Sequence, residues 1–131
     1  MLLFPPSPFR KRRGQIKHAP PAAPALTLLE AEFTYVGPGA ALRLEFDRAI
    51  DIAAFVPAQV TVQDPAGTGF AYVGTGVVDT PDAQTVVVEM AQTTEAAGSL
   101  NTVSATAGTG IVAVDDGATW NGVTDLDLPY P

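Results

Sequence analysis

Ala41-Leu42-Arg43-Leu44-Glu45-Phe46 decides the fold class. Leu42, Leu44 and Phe46 alternate with Arg43 and Glu45, and a period of two places the apolar side chains on one face of a strand and the charges on the other. A half-buried strand follows. On its N-terminal side Leu26 to Val36 alternates less cleanly, but Leu29, Ala31, Phe33 and Tyr35 can share a face. Gly37-Pro38-Gly39 supplies a turn, so the two segments are expected to form a hairpin. C-terminally, Val60 and Val62 make a short strand closed by Asp64-Pro65-Ala66-Gly67. Phe70, Tyr72 and Val73 begin another that runs to Val78. Thr80-Pro81-Asp82-Ala83 is expected to turn the chain into Thr85 to Met90, whose valines predict a central strand buried on both faces. Asn101 to Ala107, Ile111 to Val114 and Val123 to Leu128 complete the strands, with Asp115-Asp116-Gly117 as a turn. Ile50 to Val56, ended by Pro57, is the helical candidate and amounts to one short turn. Turn signals spaced about 8 to 12 residues apart, between segments of period two, predict an all-β sandwich of about seven strands.

The chain has 131 residues, enough for one core and a tail. It contains no cysteine, which excludes disulfides and thiolate metal sites. No apolar run approaches the roughly 18 to 20 residues needed to span a bilayer. Met1 to Phe9 is apolar but broken by Pro5, Pro6 and Pro8, and its positive charges follow the apolar stretch. A secretory signal has the opposite order, so none is expected.

A net charge of −7 conceals a division. Arg10, Lys11, Arg12, Arg13 and Lys17 give residues 1 to 24 a charge of +5. The remainder holds all fourteen acids against Arg43 and Arg48, a balance of −12. Six of the twelve prolines also fall in residues 1 to 24. Each fixes φ and removes a donor, which disfavours helix and central strand alike. Ala19-Pro20-Pro21-Ala22-Ala23-Pro24 reads as a semi-rigid polyproline II spacer. The expected organisation is an extended, basic, proline-rich arm over 1–24 and a β domain over 25–131. Such an arm cannot bury enough of itself to offset its ordering entropy, so it gains order only against another surface. Leu2, Leu3, Phe4 and Phe9 are the candidate anchors, and Arg10 to Arg13 with Lys17 the candidate charge-assisted donors. The same composition also fits a frayed, solubilising tail.

Catalytic chemistry has little to draw on. His18 is the one histidine and lies in the arm, where no rigid scaffold aligns it with a base or nucleophile. Ser7, Ser99 and Ser104 sit in no Gly-x-Ser-x-Gly elbow. Asp47 with Asp51, and Asp115 with Asp116, fall in turn-like segments without an evident cleft. No enzyme and no cofactor are expected. Asp115, Asp116, Asp125 and Asp127 could furnish oxygen ligands for calcium, but their spacing matches no established loop and turn chemistry explains the first pair equally well. Gly74-Thr75-Gly76 and Gly108-Thr109-Gly110 precede no helix and read as bulges or turns, not phosphate loops. The Arg10–Arg13 run could contact phosphates, yet it has no interleaved aromatics and an acidic domain follows it. An acidic protein surface is the expected partner ahead of nucleic acid.

Leu42-Arg43-Leu44-Glu45-Phe46-Asp47-Arg48-Ala49-Ile50-Asp51 resembles the strand and Phe-Asp-x-x-Ile-Asp segment of bacterial Ig-like modules found in surface proteins and tailed-phage virion proteins. Thr106-Ala107-Gly108-Thr109-Gly110-Ile111-Val112, then an acidic turn and Asn121-Gly122, extend the likeness over residues 26 to 128. The chain departs from antibody-type domains in lacking the cysteine pair, and Trp120 sits beside a turn instead of on a central strand. The resemblance implies an Ig-like sandwich and a structural role in a virion assembled in the host cytoplasm. It implies a capsid decoration or cement protein, or a neck, tail or fibre-associated one, with capsid, neck or tail subunits as partners. Two rivals stand beside it: a bacterial cell-surface adhesion or carbohydrate-binding module, and a small nucleic-acid-binding protein acting through the arm.

Overall fold

The computed structural model describes residues 25–36, 39–96 and 98–131. Among them the architecture is all-β, without an α-helix. The strands are β1 (Leu28–Val36), β2 (Gly39–Phe46), β3 (Ile50–Asp51), β4 (Val60–Gln63), β5 (Phe70–Asp82), β6 (Thr85–Ala96), β7 (Thr102–Ala105), β8 (Val112–Ala113) and β9 (Val123–Asp127). Seven of them form one curled antiparallel sheet in the order β1-β2-β6-β5-β4-β7-β9, and β3 pairs with β8 beside it. Beyond β9 the chain returns to the first strand. Ala31 N–H donates to the Tyr130 carbonyl at 2.8 Å and Tyr130 N–H donates to that of Ala31 at 2.9 Å.

The alternation in Ala41–Phe46 is realised as read: Leu42, Leu44 and Phe46 are fully buried, whereas Arg43 and Glu45 are half-buried on the other face. Val60 and Val62 of β4, Val86 and Val88 of β6, Val103 of β7 and Ile111 join them in one apolar core. Two edge-to-face ring pairs tie its parts together. Phe46 meets Trp120 at a centroid distance of 5.1 Å, and Phe33 meets Tyr72 at 4.9 Å. Trp120 does lie beside a turn, and it is nonetheless a core residue.

Several local expectations need correction. Leu29 does not share a face with Ala31 and Phe33. The pairing of β1 with β2 shifts between Leu28 and Glu30, and the extra residue of that bulge turns Leu29 outward while Leu26 and Leu28 face the core. Tyr35, near the end of β1, is exposed. Val36 pairs with Gly39, as a β1–β2 hairpin requires, while residues 37 and 38 lie outside the described residues. β6 is central in the sheet but buried on one face only, because Val87 is half-buried and Glu89 exposed between the core residues Val86, Val88 and Met90. β5 runs on through Thr80 and Pro81, and the turn falls one pair later, where Asp82 pairs with Thr85. Proline is tolerated there because β5 pairs with β4 only over Ala71–Val73, which leaves its distal half with β6 alone. Ile50 to Val56 is no helical turn ended by Pro57. Ile50–Asp51 is strand β3, and a short 3-10 turn begins at Pro57, where the missing N–H is not needed.

Candidate functional site

The anchors Leu2, Leu3, Phe4 and Phe9, the cations Arg10, Lys11, Arg12, Arg13 and Lys17, and His18 lie outside the described residues. What can be built from the residues upward is the surface of the body that a cationic partner would meet.

Both arginines of the body are engaged by its own acids. Arg43 on β2 reaches Glu30 at 3.4 Å and Glu45 at 3.3 Å, on side chains open enough to solvent that an ion pair adds little stability. Arg48 is more sheltered and lies among three carboxylates, Asp116 at 2.7 Å, Asp115 at 3.1 Å and Asp47 at 3.7 Å. Asp116 also accepts the Ala118 N–H at 2.9 Å. That backbone bond, followed by the Arg48 guanidinium, holds the Asp116 carboxyl below the usual carboxylate range. The acidic pair weighed as calcium ligands therefore serves as a turn and an arginine clamp. Asp125 and Asp127 are exposed on β9, and the Asp125 N–H bonds the Ser104 hydroxyl at 2.9 Å. No group of three or more acidic or histidine side chains placed to hold a metal ion occurs among the described residues. Gly74-Thr75-Gly76 is a bulge, with the β5–β6 register shifting between its glycines, and Gly108-Thr109-Gly110 is a turn.

With its two arginines in those ion pairs, the body presents other carboxylates that form no ion pair among the described residues. Two of these, Asp51 and Asp82, line an open cleft of about 690 Å³. One wall is β3 and the two residues after it, Ile52 and Ala53. The other is the end of β5, with Thr80 and Asp82, and the turn at Ala83. Ile50, Ile52 and Val114 give it an apolar lining, and Val114 is 62% exposed at its lip.

Backbone hydrogen bonds fix both walls. Ile50 N–H donates to the Ala83 carbonyl at 2.8 Å, and Val114 N–H to that of Ala49 at 3.0 Å. Asp51 accepts the Ala53 N–H at 2.9 Å and Asp82 that of Gln84 at 2.8 Å, so each aspartate shapes its own turn. The Thr85 hydroxyl is buried without a well-formed hydrogen bond, yet it faces Asp82. Together with the Gln84 N–H it holds that carboxyl below the usual range. Gly110 braces the segment that follows Ala53, because its positive φ of 82° leaves no room for a Cβ beside the Ala54 carbonyl, and Val56 N–H donates to Thr109 at 2.7 Å. Among the described residues the distal half of β5 pairs with β6 alone, and Val77 and Val78 are exposed on it.

The sequence reading places Asp51 in an acid pair and in the Ig-like segment, Asp82 in a turn and Val114 at a strand end, and it brings none of them together as a site. These residues meet because β3 docks on the β5–β6 turn, and the two strand residues of β3 carry no periodic signal. Comparison with known proteins finds no family model, no curated protein and no solved structure that matches the chain.

Proposed function

We propose that this protein is a non-enzymatic structural component of a tailed-phage virion, a capsid decoration or cement protein whose basic N-terminal arm docks on neighbouring subunits. The observation that carries this reading is the separation of charge along the chain. Five of the seven lysines and arginines lie in residues 1 to 24, whereas the remainder carries fourteen acids and two arginines that are ion-paired to its own carboxylates. A rigid acidic body with a cationic tether is suited to joining surfaces. At a maximum of about 3.3 to 3.6 Å per residue, an arm of 24 residues reaches on the order of 80 Å.

The body is read as an Ig-like sandwich. The strand order supports this, because β1-β2-β6-β5 followed by β4-β7-β9 matches the order of the A-B-E-D and C-F-G strands of an immunoglobulin fold. A neck, tail or fibre position would use the same body and arm.

Cryo-EM of purified particles tests the reading. The expected result is the body on the particle surface with residues 1–24 lying against a different polypeptide. Equal rates of proteolysis of the arm in free and assembled protein would refute the docking role.

A further inference from the structure

We propose that the cleft between β3 and the β5–β6 turn is the resting dock of the chain's own arm, occupied by the proline-free segment Phe9 to Ala19. This goes beyond the virion reading and does not depend on it, since it concerns the free protein in solution.

The chemistry of the two partners matches. The cleft combines the apolar side chains of Ile50, Ile52 and Val114 with two carboxylates, Asp51 and Asp82, that form no ion pair within the described residues. Phe9 to Ala19 combines Phe9 and Ile16 with five cations, and Pro8 and Pro20 bound it on either side. An apolar residue next to a cation is the pattern that fills such a cleft, with charge-assisted hydrogen bonds at its rim.

Reach decides between this chain and a neighbour. The described chain begins at the end of the sheet that holds the cleft. Thr27 N–H donates to the Asp47 side chain at 3.2 Å, Asp47 N–H donates to the Thr27 carbonyl at 2.9 Å, and Phe46 N–H donates to Gln84, two residues past Asp82, at 2.9 Å. From β1 to β5 is three strand spacings, about 14 Å. Six residues from Ala19 to Pro24 would span about 18 Å in the polyproline II form that their sequence favours. The spacer therefore covers the distance without excess, and a tether of this length holds the segment at an effective concentration in the millimolar range. The arm rests on its own body until a better surface takes it up.

Carbodiimide coupling reads the contact directly. The chain's only lysines, Lys11 and Lys17, are in the arm and all fourteen acids are in the body. The reagent joins a lysine amine to a touching carboxylate as an amide and takes up the water released. Applied to the full chain and followed by peptide mass spectrometry, it is expected to link Lys11 or Lys17 to Asp51 or Asp82 in a product of monomer mass, with a yield independent of protein concentration. The link should fall about tenfold at 1 M salt, where the screening length is about 3 Å. It should disappear in the double variant Asp51→Asn, Asp82→Asn, which keeps the turn acceptors, and persist in Asp125→Asn, Asp127→Asn. A link found only in a product of dimer mass would assign the cleft to a second copy and overturn the proposal. Links spread evenly over Glu32, Glu95 and Asp127, links that survive the Asp51/Asp82 variant, or none at all would also overturn it.

Discussion

Arg48 shows how much of this body depends on single side chains. It balances Asp47, Asp115 and Asp116, contributed by segments far apart in the chain, and without it three carboxylates are left close together. Arg48→Ala is expected to lower the melting temperature at low ionic strength and to regain part of the loss in about 1 M salt, where the repulsion is screened. An unchanged melting temperature at low salt would show that the cluster is neutral for stability. Asp116 adds a pH dependence of known sign. Its folded pKa is depressed below the ordinary value of 3.8, so its contribution is fully present above that pH and is lost as pH falls through the folded value. Asp116→Asn should flatten the acid limb of a melting-temperature profile below about pH 4 and leave the neutral plateau with a uniform offset. None of this was legible beforehand, since Arg48 and Asp116 stand 68 residues apart and nothing local couples them.

Individual elements were readable where local pattern and long-range pairing agree. β2 is the clearest case, because its alternation, its half-buried outer face and its neighbours on both sides all demand the same register. β1 was misread at Leu29, since a bulge is set by how a strand meets its partner and leaves the composition unchanged. Pro81 was read as part of a turn, and only the topology reveals that, among the described residues, the distal half of β5 pairs with β6 alone and so tolerates proline. β3 and β8 are two residues each, too short for any period to register. The cleft inherits that blindness, because one of its walls is β3. Gly110 tests how firmly that wall is held. Gly110→Ala adds a Cβ against the Ala54 carbonyl at a φ that side chains avoid, and it is expected to cost on the order of 3 kcal/mol in chemical denaturation and to displace the segment after Ala53. A loss below about 0.5 kcal/mol, within the range of ordinary surface substitutions, would mean that the segment yields freely.

Taken whole, the molecule is a sheet that curls until its last segment meets its first strand. The all-β class was visible in the sequence from periodicity, and a count of charges separates a cationic residue range 1 to 24 from an acidic remainder. The closure was not, because it rests on backbone groups of Ala31 and Tyr130 that any residue could supply. Removing residues 129–131 abolishes both hydrogen bonds and should cost about 1 to 3 kcal/mol, with faster amide exchange at Ala31 and little change in the centre of β6. Retained protection at Ala31 would show that the bridge contributes nothing in solution.

The β1–β2 register also governs how the body bears tension. The chain leaves β1 beside Phe46, and the paired residues run from Leu28 with Phe46 to Val36 with Gly39. A pull on the tether directed along the strand axis loads that ladder in shear, so its bonds resist together. A pull across the axis peels them singly from Leu28 onward. A body of this build is strong in one direction of strain and weak in another, and under the proposed docking the orientation in which a neighbour held residues 1 to 24 would set the force at which it let go.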